Sequence, residues 1–186
     1  MRGRRDGRDG EPARHEDLPW TGPAALARHA RGPVPWRYYL ATKVRFTPTG
    51  GVPFTVVPIG SGGDGAPAAA SPAGGDPVPP AGPLHVITAI QPGEEPSGPT
   101  AARRLAILEA ELRAAGHAPF PATGSALDGT HAEPGFAVAG WTDDEARRWG
   151  VRFGQVAVFG LRAGTWSLIA CQAGRRTDRP WRLVAG

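Results

Sequence analysis

"HVITAIQPGEEPSGPTAARRL", His85 to Leu105, changes its period halfway along. From Leu84 to Ile90 the chain is apolar with little interruption, the pattern of an interior strand covered on both faces. Gln91, Pro92 and Gly93 end that run. "SGPT" then opens a helix, with Pro99 in the first turn, where a missing amide costs nothing. Leu105, Leu108, Leu112 and Ala115 form its buried stripe, Glu109 and Arg113 pair across one turn, and Gly116 suits the position just past its end. A covered strand handing its chain to an amphipathic helix implies a sheet with helices packed on it.

Working outward, Tyr38, Leu40, Thr42, Val44 and Phe46 alternate with Arg37, Tyr39, Ala41, Lys43 and Arg45, the period of a half-buried strand beginning near Trp36. "PTGG" turns the chain and "VPFTVVPI" returns it as a hairpin. Pro53 and Pro58 lack amide donors and predict an edge position for the second strand. Downstream, "GFAVAGW" predicts a short strand. Thr142 and Glu145 form a capping box ahead of a second helix with Ala146, Trp149 and Phe153 on one face. "QVAVFGL" and "TWSLIAC" flank an "RAG" turn as a second hairpin. The stretch between the first helix and "GFAVAGW" has no period and is read as irregular. The fold class expected is α+β, a mixed or antiparallel sheet of about six strands with two main helices packed on it.

The chain has 186 residues, enough for one ordinary domain with extensions. Its 27 glycines and 21 prolines amount to about a quarter of the total, a level that marks part of the chain as unpacked. The expected organisation is a disordered Arg/Gly-rich tail over 1–34 with a short helical piece near "AALARHA", a single domain over 35–172 interrupted by a flexible Gly/Ala/Pro-rich insertion at 60–82, and a C-terminal tail over 173–186 in which Trp181 and Leu183 have the apolar character to dock. Gly60, Gly62 and Gly65 match the dinucleotide-binding glycine pattern by spacing only. No helix opens after them to receive a pyrophosphate, so they are read as part of the insertion.

Net charge is +4. Residues 1–37 and 172–186 each carry +3 and residues 38–171 carry −2, so the basicity belongs to the ends. A phosphate-tracking groove needs cations clustered on the folded surface, which disfavours nucleic-acid binding by the core. Cys171 is the sole cysteine, leaving neither an internal disulfide nor a cysteine-rich zinc site, and the five histidines offer no ligand-spaced pair. With no signal-peptide core at the N-terminus and no long apolar run, a soluble cytoplasmic protein with no membrane partner is expected.

From His85 to Cys171 the chain resembles a bacterial family known as domain of unknown function family 3293. The resemblance is carried by "ITAIQPG" (Ile87 to Gly93), "LEAELRAAG" (Leu108 to Gly116), "EPGFAVAG" (Glu133 to Gly140) and "RFGQVAVFGL" (Arg152 to Leu161). The family-like strand ends in Thr-Ala-x-Asn-Pro, and here Gln91 stands where asparagine would. The resemblance implies a shared fold and brings no catalytic residue with it.

Polar residues gather at predicted chain reversals. Thr88 and Gln91 close the central strand, Arg104 lies in the first turns of the following helix, Glu133 enters a strand and Gln155 begins another. These five are the candidate ligand-binding residues, for a small polar or anionic molecule received beside a helix N-terminus. Each also has a purely structural role open to it, satisfying the backbone of its own turn. No cofactor is indicated. The alternative function is an interaction module that binds protein, or nucleic acid weakly, through its tails or a sheet edge, without catalysis. His85 reads as a core or edge histidine, and Trp166 as packing.

Overall fold

A computed structural model describes residues 13–60 and 82–184. Nine strands form one sheet, in the order β8-β7-β6-β3-β5-β4-β1-β2-β9, and every neighbouring pair is antiparallel. They are β1 (Thr42–Phe46), β2 (Phe54–Pro58), β3 (Leu84–Ile87), β4 (Phe120–Ala126), β5 (Ala132–Ala139), β6 (Ala157–Arg162), β7 (Thr165–Ala170), β8 (Arg176–Arg179) and β9 (Trp181–Val184). The helices are α1 (Pro23–Arg31), α2 (Pro33–Leu40), α3 (Pro99–Ala114) and α4 (Asp143–Arg152), preceded by a 3-10 turn at His15–Asp17.

The two edge strands of this sheet, β8 and β9, are separated in the chain by Pro180 alone. A sheet whose opposite edges belong to one bent strand must curl until they meet. Taken together, β8 and β9 reduce the nine strands to eight around a nearly closed barrel, an even number, as alternating directions require. The bent strand pairs with β7 before Pro180 and with β2 after it. Proline has no amide to donate, and here it stands where the strand changes partners. Its carbonyl still accepts from the Ile59 amide at 2.8 Å.

Alternation along the strands separates two cores. Val44, Phe46, Phe54, Val56, Leu84, Val86, Ala122, Ala137, Leu161, Trp166 and Leu168 fill the barrel interior, as the narrow bore of an eight-stranded ring demands. Leu26, Ala30 and Trp36 from α1 and α2 belong to the same interior cluster, so these helices cover one end. Trp36 Nε1 donates to Thr177 Oγ1 at 3.0 Å, and the Arg175 guanidinium lies 4.4 Å over the Trp36 ring. On the outer face Ile87, Val138, Val158 and Ile169 pack against Ile107, Leu108 and Leu112 of α3 and Ala146 of α4. Both faces of β3 are therefore buried. Gly135 of β5 is required by this packing, since a Cβ there would stand 2.5 Å from the Ile87 carbonyl oxygen.

The expected six-stranded sheet with two helices is corrected to this nine-stranded antiparallel barrel with four helices. Three stretches account for the difference. Residues 13–34, read as tail, include a turn and α1, whose Leu26 and Ala30 occupy one buried face; the rest of that tail, 1–12, lies outside the described residues. Trp36 to Leu40 is helical although its alternation suits a strand, because Pro33 and Pro35 stand in a helix's opening positions, where proline is tolerated. The irregular stretch contains β4, whose small residues pair with both β1 and β5, and the C-terminal tail supplies β8 and β9. Nor is β2 an edge strand, since β9 covers its free side. Of the insertion read at 60–82, residues 61–81 lie outside the described residues. Among the described residues no helix is long and apolar enough to cross a membrane.

Candidate functional site

Gln91, Arg104 and Gln155 meet where residues 19–21 lie across the ends of β3 and α4. Gln91 Oε1 accepts from the Thr21 amide at 2.8 Å, while its Nε2 donates to the Ala89 and Phe153 carbonyls, both at 3.0 Å. Gln155 Nε2 donates to Ile90 O and to the same Phe153 O, each at 3.0 Å. Arg104 is only 5% exposed; its Nη1 donates to Pro19 O at 2.5 Å and its Nε to Glu94 Oε1 at 3.3 Å. The Trp20 ring lies 4.6 Å beneath that guanidinium and meets Phe153 edge-on. Gly154, at φ +65°, leaves room here, because a Cβ would collide with Gln91 Oε1.

The two other sequence-predicted residues do not join this junction. Thr88 Oγ1 donates to Pro134 O at 2.7 Å and accepts from the Ile90 amide at 3.2 Å. The Glu133 carboxylate lies 2.9 Å from His131 Nε2. Burial, with the Glu133 charge adding to it, pushes the Tyr39 hydroxyl up to about 12. Thus three of the five residues converge, and at the junction their polar groups hold backbone carbonyls and the segment Pro19–Thr21.

Two polar groupings lay outside the sequence reading. The first runs across the outer face of the sheet, where His85, Gly160, Ser167 and Asp178 are successive cross-strand partners on β3, β6, β7 and β8. His85 is 0% exposed, and its Nε2 lies 2.9 Å from Asp143 Oδ1 at the start of α4. Arg162 Nη2 reaches the same oxygen at 2.9 Å, and Arg176 binds Asp143 Oδ2 and, through Nη2, Ser167 Oγ. Burial lowers the His85 pKa below its ordinary 6.5, outweighing the nearby carboxylate. For Asp143 burial works upward, yet the hydrogen bonds from His85, Arg162 and Arg176 prevail and hold it well below the usual carboxylate range. This is a charge network in which a neutral imidazole and two guanidiniums share one carboxylate, with His85 Nδ1 buried and unpartnered.

The second grouping is at the barrel end bounded by the β6–β7 hairpin, opposite α1 and α2. Trp166 of β7 and Arg179 of β8 are direct cross-strand partners. Trp166 belongs to the interior cluster, and Arg179 falls on the same face as Thr177, which bonds Trp36. Trp166 is 1% exposed and its Nε1 has no hydrogen-bond partner; Arg179 Nε is likewise buried and unpartnered. Arg179 Nη1 donates to Gly60 O at 2.5 Å, and the guanidinium has no carboxylate within ion-pair distance among the described residues. Trp181 Nε1 donates to Arg162 O at 3.1 Å and closes the rim. Two adjacent orphaned donors are unusual, because buried polar groups nearly always find partners.

Residues 87–158 match the model of a family described as "Protein of unknown function (DUF3293)". No curated protein and no solved structure matches the chain. The matched span runs from the end of β3 into β6. It contains Gln91, Arg104 and Gln155 but not residues 19–21, and it excludes Trp166 and Arg179.

Proposed function

We propose that the protein is a binding domain for a small anionic molecule, received at the barrel end that carries Trp166 and Arg179. The ligand class is the one read from the sequence, transferred from the Gln91 junction to different residues. The supporting observation is two buried donors without acceptors, Trp166 Nε1 and Arg179 Nε, the second belonging to a guanidinium with no carboxylate within ion-pair distance among the described residues. An unneutralised, partly buried charge is costly, and an anion that accepts from both groups offsets that cost. Mouths of small antiparallel barrels are common ligand sites, with an apolar lining and a few convergent polar groups. Of the candidate residues, Gln91 and Arg104 hold Thr21 and Pro19, and Gln155 holds the Ile90 and Phe153 carbonyls.

Thermal-shift measurements on the full chain against nucleotides and anionic metabolites test this reading, because a molecule that binds only the native state raises its melting temperature. The wild type gains stability with at least one anion, and Arg179→Gln does not. Flat curves for the wild type, or equal gains in the variant, would refute the reading.

A second reading, docking onto another protein, draws on Val34 and Tyr38, which lie one turn apart on α2 and are 55% and 71% exposed. Concentration-dependent association that disappears in Tyr38→Glu would favour it.

A further inference from the structure

We infer that the anion is a monocarboxylate with an apolar or aromatic body. This rests on the anionic-ligand reading above and narrows it. An arginine presents two donor edges. Here Nη1 is engaged by the Gly60 carbonyl, leaving Nε and Nη2 as a side-on fork that makes no bond among the described residues. That fork matches the two oxygens of a carboxylate. Trp166 Nε1, from the directly opposed position on the neighbouring strand, supplies a third donor for a remaining lone pair. Three donors suit one carboxylate.

The charge supply points the same way. Arg162 and Arg176, the other cations of β6 and β8, are both bound to Asp143, and Arg176 also to Asp178. One guanidinium is left to neutralise the ligand, which matches a single negative charge better than the near-double charge of a phosphate monoester. Around these donors the barrel is aromatic. The Phe159 and Trp166 rings are 5.0 Å apart, and Trp181 packs against the same interior cluster. Such walls favour an apolar ligand body and offer nothing to a hydrated polyanion.

The test follows the indole N–H resonance of Trp166 in the isotope-labelled full chain, identified by its loss in Trp166→Phe. Benzoate and inorganic phosphate are the two probes. The expected result is a saturable shift with benzoate, at least tenfold weaker binding in Arg179→Gln, and an intermediate loss in Arg179→Lys, whose ammonium cannot form the fork. If phosphate moves the resonance at equal or lower concentration than benzoate, the carboxylate inference fails while the anionic-ligand reading stands. If neither probe moves it, both fail. Unchanged benzoate affinity in Arg179→Gln also overturns the assignment; should that variant not fold, the Arg179→Lys affinity decides.

Discussion

The junction at Gln91 and the mouth at Trp166 are both places where polar side chains point into buried space, and they are resolved in opposite ways. At the junction both ends of the Gln91 amide are bonded, Arg104 has a carbonyl, a carboxylate and an aromatic face, and Gln155 bridges two carbonyls. At the mouth two buried donors have no partner, and among the described residues the Arg179 guanidinium bonds only the Gly60 carbonyl. Closed hydrogen-bond networks hold a structure together, whereas open ones mark where something else can be held. Convergence of polar residues is thus a weaker sign of binding than polar residues left incomplete.

The comparison is sharpest under mutation. Gln91→Ala removes the acceptor of the Thr21 amide and a donor to two carbonyls, and is expected to cost about 3 kcal/mol in urea unfolding; a loss under about 1 kcal/mol would make the junction as dispensable as the mouth. Trp20→Ala deletes the ring that packs between Arg104 and Phe153 and should cost about 2 kcal/mol, less than a fully buried tryptophan because Trp20 is only half buried. Limited proteolysis of that variant should cut the chain around residues 19–21 before the barrel is cut.

The outer charge network should show itself in pH. His85 has a lowered folded pKa, so the unfolded chain takes up its proton first as pH falls below about 6.5, and stability declines in that direction. Asp143, also depressed when folded, adds a further loss below its ordinary 3.8. Denaturant midpoints measured from pH 7 to pH 5 should fall for the wild type and stay flatter for His85→Gln. An unchanged slope would mean that another group governs this range.

At the mouth Trp166→Phe should alter ligand-free stability by no more than about 1 kcal/mol, because the lost volume is offset by removal of an unsatisfied donor. A cost comparable to that of Gln91→Ala would show that the indole N–H has a partner after all. The smallest effect concerns Cys171, whose thiol burial pushes up to about 12. Alkylation at pH 8 should proceed only as fast as the protein unfolds.

What the sequence discloses follows the strength of its local periods. The strand at Leu84–Ile87, the helix at Pro99–Ala114 with its Gly116 terminus, the Thr142–Glu145 capping box and both hairpins are visible because neighbours along the chain carry the signal. By contrast, β8 and β9 alternate Thr177, Arg179, Trp181 and Leu183 inward against Arg176, Asp178 and Arg182, which reads as a charged tail because one inward residue is itself an arginine. The site divides in the same manner. Gln91 and Arg104 are close in the chain, but Asp143 meets His85 across 58 positions and Arg176 across 33, and only the folded sheet brings such residues together. Nothing local distinguishes the Trp166 indole from an ordinary packed ring; what sets it apart is a missing partner.

The bend at Pro180 also bears on how the barrel forms. Trp181 must find Pro58 across most of the chain, and until it does both borders of the sheet present unpaired amides and carbonyls. Pairings this distant in sequence are slow to form, because the closure entropy is met before any contact rewards it. A cut or stalled synthesis just before Arg176 would therefore leave two sticky rims at once, and aggregation rather than partial folding would be the fate of such a fragment.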